Sequence, residues 1–402
     1  MKKIYILVAV IIFLVTQNNI KEVREVIETV SEVSKEPRIN SRYAIVLDRQ
    51  SKTILYGKNE KTKTKMASTT KIMTAMVVIC NTNLDNVVEI SKKAAGTGGS
   101  RLKIKAGDKI SVRDLLYGLL LRSGNDAAVA LAEYVGESTE KFAILMNQKA
   151  KEIGLRNTNF VTPHGLDSEE HYTTAYELAL LTDYALKNQV FSQIVNTKSC
   201  TININGISRI ISNTNELLGY LNGVYGVKTG FTNGAGRCLV TSIKREDLDI
   251  ICVVLGADTK KDRTRDSVKL IEYTFNTYQN INLHEKIKEE FENWKNINKG
   301  RINIKKGKKY SMNIKLAEYN LKNYPIKKGT DNKIEIKIES NLILTAPVEE
   351  NSRIGKVTVF YDNNTILEID ILTVDTIEKK GIGDHILDIM KNYNTYVEKI
   401  IE

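Results

Sequence analysis

The sequence predicts an α+β chain: a first domain whose helices are enclosed by strands from both ends of its own sequence, a small β-rich domain, and an amphipathic C-terminal helix. Three observations carry that prediction. Apolar strand-like runs lie near residue 45 and again near 237–256, on either side of a long stretch with helical spacing. From about Leu283 the composition shifts to short segments that alternate polar and apolar residues, the period of a half-buried strand. From Ile382 the period changes once more, setting Ile386, Leu387, Met390, Tyr393, Val397, Ile400 and Ile401 on one helical face.

The chain opens with Met1-Lys2-Lys3 and an unbroken apolar run from Ile4 to Val15. That is a charged segment followed by an apolar one too short to cross a bilayer comfortably as a mature helix. Residues 1–17 read as an export signal, and Thr16-Gln17-Asn18 lacks a small-x-small cleavage pattern, so an uncleaved tether stays open as an alternative. Residues 18–37, rich in Glu, Lys and Val and ending at Pro37, read as a spacer. The first domain spans 38–280. Tyr43-Ala-Ile-Val-Leu47 and Thr53-Ile-Leu-Tyr56 flank the polar Asp48–Lys52 and predict a hairpin. Ser68 opens a run with Ile72, Met73, Met76, Val77 and Cys80 at helical spacing. An apolar helical stretch from Val112 to Tyr134 is interrupted around Arg122–Asn125, and further helices are expected over 139–153 and 174–188. Strands over 237–243 and 249–256 and a helix over 263–279 complete this domain. Residues 281–376 form the β-rich domain, with Asp362-Asn-Asn364 turning one hairpin, and 377–402 the C-terminal helix.

The formal charge is +11. It is spread along the chain and is not gathered on aromatic-laced strands, so no nucleic-acid partner is expected. For an exported chain an anionic wall or membrane surface is the natural neighbour. The tail helix suits contact with a membrane surface, although its polar face is slightly acidic; packing against a partner or its own domain is the other reading. Four cysteines (Cys80, Cys200, Cys238, Cys252) make no dense framework. Cys238 and Cys252 lie in neighbouring strand-like runs and could face each other; small buried hydrophobes are the default reading. His164 and His171 lack the spacing and the acidic partners of a metal site, so no metal and no cofactor is expected.

Three short strings carry the chemistry: Ser68-Thr-Thr-Lys71, Ser123-Gly-Asn125 and Lys228-Thr-Gly230. Ser68 stands where a helix begins, so a nucleophile there gains from the helix field, and its N–H can help hold an oxyanion. Lys71 is one turn on and shares its face. A lysine serves as a base only where burial or a neighbouring positive charge lowers its pKa. Lys228 supplies that second charge, Thr229 a hydroxyl for an anionic terminus, and Gly230 a strand edge without a side chain. Each string alone is ordinary. Ser68 would be a helix cap, Ser123-Gly-Asn125 a turn, and Ser138-Thr-Glu-Lys141 repeats the Ser-x-x-Lys spacing as a cap of the 139–153 helix. All three in order, in a chain with an export signal, point to a site.

With those strings the sequence resembles the penicillin-binding D-alanyl-D-alanine carboxypeptidases of low molecular mass. Ala67–Thr74, Asp114–Ala128 and Gly226–Asn233 are similar to the family's three motifs. Phe160–Leu166 followed by His171-Tyr-Thr-Thr-Ala175 is similar to a further block. Met66 stands where proline is commoner and Thr162 where asparagine is usual. Leu344-Thr-Ala-Pro347, Gly355 and the tail resemble the family's second domain and anchor. The resemblance implies a β-lactamase/transpeptidase-like domain with helices packed on an antiparallel sheet. It implies removal of the terminal D-alanine from the peptidoglycan stem pentapeptide through an acyl-enzyme, with β-lactams bound covalently at the same serine. It places the chain at the outer face of the cytoplasmic membrane or in the cell wall. By position, Ser68 is the nucleophile, Lys71 its base and Ser123 the proton relay. Asn125 holds substrate and Lys71, and the N–H groups of Ser68 and Phe231 form the oxyanion hole. Lys228 and Thr229, beside Gly230, recognise the terminal carboxylate with Arg263, Arg265 being close in sequence.

A serine β-lactamase uses the same strings, but the surroundings of Glu169, Glu170 and Glu177 do not match its deacylation loop. A D,D-endopeptidase on the same fold stays open, as does a weakly active wall-binding structural protein, suggested by Met66 and Thr162.

Overall fold

The computed structural model describes residues 36–401, so the predicted export signal and nearly all of the spacer lie outside the described residues. The chain divides into two compact units, the first ending at Tyr278 and the second starting at Gln279.

In the first unit, β1 (Tyr43–Asp48) and β2 (Ile54–Lys58) form the expected antiparallel hairpin. A 3-10 turn, Ala67–Thr70, leads into α1 (Lys71–Asn81). Short strands β3 (Val87–Glu89) and β4 (Lys109–Ser111) pair around the small helix α2 (Lys92–Gly96). The apolar stretch beyond residue 111 is two helices, α3 (Val112–Leu121) and α4 (Asn125–Gly136), and the break between them carries Ser123. Ser138 caps α5 (Thr139–Ile153) by accepting from the Lys141 N–H at 3.1 Å, the role expected of this second Ser-x-x-Lys. Thr174 caps α6 (Ala175–Leu186) in the same way. Helix α7 (Gln189–Val195) and the hairpin β5 (Ser199–Ile204)–β6 (Ile207–Ser212) follow; the sequence reading did not mark them. Strands β7 (Val224–Thr232), β8 (Gly236–Arg245) and β9 (Leu248–Ala257) precede α8 (Lys260–Thr277).

One antiparallel sheet of order β2-β1-β9-β8-β7 organises this unit. Its strands alternate between two apolar layers. Ile45, Leu47, Ile251, Val253 and Leu255 face the core shared with the helices from α1 to α7, and Ala44, Val46, Ile250, Cys252 and Val254 face α8 through Leu270 and Ile271. Burial on both faces makes these strands continuous apolar runs. It also decides between the two readings of Cys238 and Cys252: Cys238 belongs to the first layer and Cys252 to the second, so they do not face each other, and both are buried free thiols, the default reading. Helix α1 is buried from Lys71 to Val78 and touches α3, α4 and α6. It is a central helix, hydrophobic all round except where its chemistry begins. Each fully buried Leu or Ile in such a core contributes roughly 1.5–3 kcal/mol.

The second unit begins within β10 (Tyr278–Asn282), whose first residue still counts to the first unit, and takes in α9 (Leu283–Ile297). The helix was not anticipated in a mostly β domain; it buries Leu283, Ile287 and Phe291 at four-residue spacing. Then come β11 (Asn303–Lys305), β12 (Ile314–Leu316), β13 (Asn323–Lys327), β14 (Ile334–Ser340), β15 (Ile343–Thr345), β16 (Arg353–Tyr361) and β17 (Asn364–Thr373). The main sheet has order β12-β17-β16-β14, and the β16–β17 turn sets Asp362 and Asn363 at φ +50° and +65°, as a tight two-residue hairpin requires. Val357, Val359, Ile369 and Ile371 close its core with α9. Helix α10 (Ile382–Ile401) follows, with Ile382, Ile386, Leu387, Ile389, Met390 and Tyr393 exposed. No helix among the described residues is long and apolar enough to cross a membrane.

Candidate active site

Ser68 sits inside the 3-10 turn, so its hydroxyl is not used as the helix cap that a lone serine would have suggested. The turn is held by its threonines. Thr69 Oγ1 donates to the Met66 carbonyl at 2.6 Å and Thr70 Oγ1 to the Ala67 carbonyl at 2.8 Å. Ala67 has φ +48° and Ser123 φ +59°, an uncommon region for residues with a side chain. Such conformations persist where the surroundings over-determine them and cluster at functional sites.

Lys71 is completely buried. Its Nζ lies 2.8 Å from Ser68 Oγ, 2.8 Å from Asn125 Oδ1 and 2.9 Å from the His164 carbonyl. Burial, and after it the ammonium of Lys228, holds the Lys71 amine well below its ordinary pKa, against a smaller pull from Asp126. The three contacts suit a neutral amine. It donates to the two carbonyl-type oxygens and keeps its lone pair for the Ser68 proton.

Asn125 commits Nδ2 to the Gly98 carbonyl at 2.7 Å as well as Oδ1 to Lys71, which leaves one amide hydrogen for a ligand. The next carboxylate, Asp126, accepts from the N–H groups of Leu102, Lys103 and Ile104 and fastens that loop beside the site. Ser123 is nearly buried, and its hydroxyl makes no hydrogen bond among the described residues.

Lys228, Thr229, Gly230 and Phe231 lie on β7, one of the two edge strands of the sheet. Lys228 is buried, donates to the Thr229 carbonyl at 2.9 Å, and has its pKa lowered from 10.5 to about 7 by burial and by Arg263. Thr229 Oγ1 is 2.8 Å from Thr214 Oγ1. Phe231 is half-exposed under the Arg237 guanidinium, 3.7 Å from the ring centre. Gly230 has a use besides the expected one. A Cβ there would stand 3.2 Å from the Ser68 nitrogen and 3.1 Å from the Ala67 Cβ, so the missing side chain lets the nucleophile's turn approach β7. Arg263 is buried and paired with Glu216, whereas Arg265 is half-exposed and paired with Asp262. Of the two, Arg263 is the one whose charge acts on Lys228.

The loop 160–171 closes the site from the side of α1. Thr74 Oγ1 donates to the Pro163 carbonyl at 2.6 Å, and Thr162 Oγ1 accepts from the Gly165 N–H at 3.1 Å. Thr162 therefore still caps its turn, and Met66 is a fully buried core residue. Both departures from the family pattern are accommodated. Asp167 accepts from Thr232 Oγ1 at 2.6 Å and from the Gly234 N–H at 2.9 Å, tying this loop to the β7–β8 hairpin. His164 and His171 are held neutral, near 3 and 4, both mainly by burial. Glu169 and Glu170 are exposed, and Glu177 is spent on the N–H groups of Arg156 and Asn157 and the Thr158 hydroxyl. Thr214, Glu216 and Asp167 carried no signal in the sequence; each acts through a residue far away along the chain.

Residues 30–259 match the model of the D-alanyl-D-alanine carboxypeptidase family, and residues 284–379 that of the penicillin-binding protein 5 C-terminal domain. The chain is 32% identical over 354 residues to the D-alanyl-D-alanine carboxypeptidase DacF of Bacillus subtilis, covering 85% of this chain and 87% of the relative. It is 30% identical to DacD of Escherichia coli, covering 88% and 90%. Among solved structures, penicillin-binding protein 5 of Haemophilus influenzae superimposes with a TM-score of 0.70 at 27% identity, covering 86% of this chain and 99% of that one. The family match over most of the first unit and relatives covered nearly end to end agree with a serine beside a buried lysine: the chain belongs to the D-alanyl-D-alanine carboxypeptidase family and is a serine-type carboxypeptidase.

Proposed function

We propose that Ser68 attacks the carbonyl of the penultimate D-alanine of a peptidoglycan stem pentapeptide. The observation that carries this reading is the buried Lys71 Nζ at 2.8 Å from Ser68 Oγ with its pKa well lowered. As the Ser68 O–C bond forms, the proton passes to Lys71. The tetrahedral oxyanion rests on backbone N–H groups of Ser68 and Phe231. The C–N bond then breaks, the amine of the leaving D-alanine takes a proton relayed by Ser123, and water hydrolyses the acyl-enzyme.

The peptide lies along the open edge of β7, adding as a strand would. The remaining Asn125 amide hydrogen holds its backbone, and Lys228, Thr229 and Arg263 receive the terminal carboxylate. That remote contact separates a chain end from an internal bond. Penicillin, a β-lactam amide with a carboxylate, acylates the same serine. The apolar face of α10 supports a further reading, contact with the outer face of the cytoplasmic membrane.

The test is D-alanine release from a pentapeptide ending in D-Ala-D-Ala, with labelled penicillin as a second readout. Ser68→Ala should abolish release and adduct together while melting normally. Release that persists in the folded variant would remove Ser68 from the role of nucleophile.

A further inference from the structure

We infer that His171 is a positioning residue for this acyl transfer, holding the turn that carries Ser68 and the carbonyl that receives Lys71 in one fixed relation. The inference rests on the reading of Ser68 and Lys71 as nucleophile and base.

Two separate segments meet at the Lys71 amine. One is the turn Ala67–Thr70, which delivers Ser68; the other is the loop around His164, whose carbonyl accepts from Nζ. His171 is buried between them and bonds to both. Its Nδ1 accepts from the Val161 N–H at 2.9 Å and, at longer range, from Thr162 at 3.4 Å. A neutral ring that accepts on Nδ1 carries its proton on Nε2. Nε2 then donates to Thr70 Oγ1 at 2.8 Å, and the Thr70 proton goes on to the Ala67 carbonyl at 2.8 Å. Phe160 meets the ring edge-on, 5.9 Å between centres, and fixes its plane.

One side chain is thus acceptor to the loop and donor to the turn. An aliphatic residue can be neither, and an imidazolium, with two donors, would meet the Val161 N–H head-on. The turn needs this support because Ala67 has a positive φ. Without it the turn relaxes, and Ser68 Oγ shifts relative to Lys71 Nζ. A displacement on the order of 1 Å costs roughly 100-fold in rate. Glutamine can reproduce both bonds, its oxygen accepting and its nitrogen donating.

The experiment uses the full chain and measures D-alanine release, the second-order rate of acylation by fluorescent penicillin, and thermal melting. His171→Leu and Thr70→Val should each lower kcat and the acylation rate about 100-fold, with KM within about threefold. Penicillin should still label the whole population slowly, which marks it as folded. His171→Gln should recover to within about tenfold of the original rate, and the Leu/Val double variant should be no worse than the poorer single one. A folded His171→Leu that acylates at the original rate, or a Gln variant as slow as the Leu variant, would overturn the inference. If His171→Leu does not fold, Thr70→Val decides, and an unchanged acylation rate there overturns it. Ser68→Ala, run alongside, separates this failure from that of the nucleophile assignment: persistent D-alanine release there sinks the assignment itself.

Discussion

At the residue scale the site is a problem of two buried ammoniums. In the proposed mechanism Lys71 works as a neutral base and Lys228 as a cation, and burial disfavours the charged state of each. For Lys228 the folded pKa of about 7 lies below the ordinary 10.5. Between those values the unfolded chain holds a proton that the folded chain lacks, so stability from this group rises with pH across that window, and the penalty is complete below about 7. The same titration limits catalysis. kcat/KM should rise with pH as Lys71 loses its proton and fall above about 7 as Lys228 loses its own. Lys228→Arg, whose charge does not titrate, should be slower yet lack the falling limb; a pH profile of D-alanine release between 5 and 10 would decide. A falling limb that stayed in place would assign it to another group.

At the element scale the turn before α1, the loop 160–171 and β7 are pressed together, and two glycines permit it. Gly230 admits the turn to β7, and Gly165 has φ +86° and a Cβ there would stand 1.9 Å from the Ala67 carbonyl oxygen. Gly165→Ala should therefore cost about 2–4 kcal/mol of stability and slow acylation in parallel, which urea unfolding and penicillin labelling would register. These elements also show what sequence can and cannot convey. The 139–153 helix was legible to the residue, because Ser138 and Gly154 punctuate it and its apolar period is clean. The Ser68–Lys71 pair was legible because residues three apart share a helix face; the other two strings, distant along the chain, were legible only because all three occur in order. Helix α9 was hidden by its dense charge, with only Leu283, Ile287 and Phe291 buried, and β5–β6 by Ile207 and Ile210, which are exposed. His171 was legible as a hydrogen-bonding histidine of a loop beside the site, but not its partner Thr70, 101 residues away; the partners of Thr214 and Glu216, 15 and 47 residues away, were hidden likewise, joined by folding and by no local period.

At the scale of the whole molecule, the proposed catalysis and the proposed membrane contact fall in different parts of the chain. The site residues all belong to the first unit, and the exposed apolar face of α10 belongs to the second. Removing residues 382–402 should leave D-alanine release from a soluble peptide unchanged and abolish co-sedimentation with lipid vesicles; equal sedimentation of both forms would reject the membrane reading. The central sheet carries a liability of its own. At one end it stops at β7, which pairs with β8 alone, although side chains of Asn215 and Lys228 already donate to the Gly226 and Thr229 carbonyls. A strand edge that welcomes one extended chain offers the same template to any other, including a second β7. Prolonged warming of concentrated, unliganded enzyme should therefore seed β-rich aggregates from this edge, and a β-lactam bound as proposed should slow that loss, a preservative as well as an inhibitor.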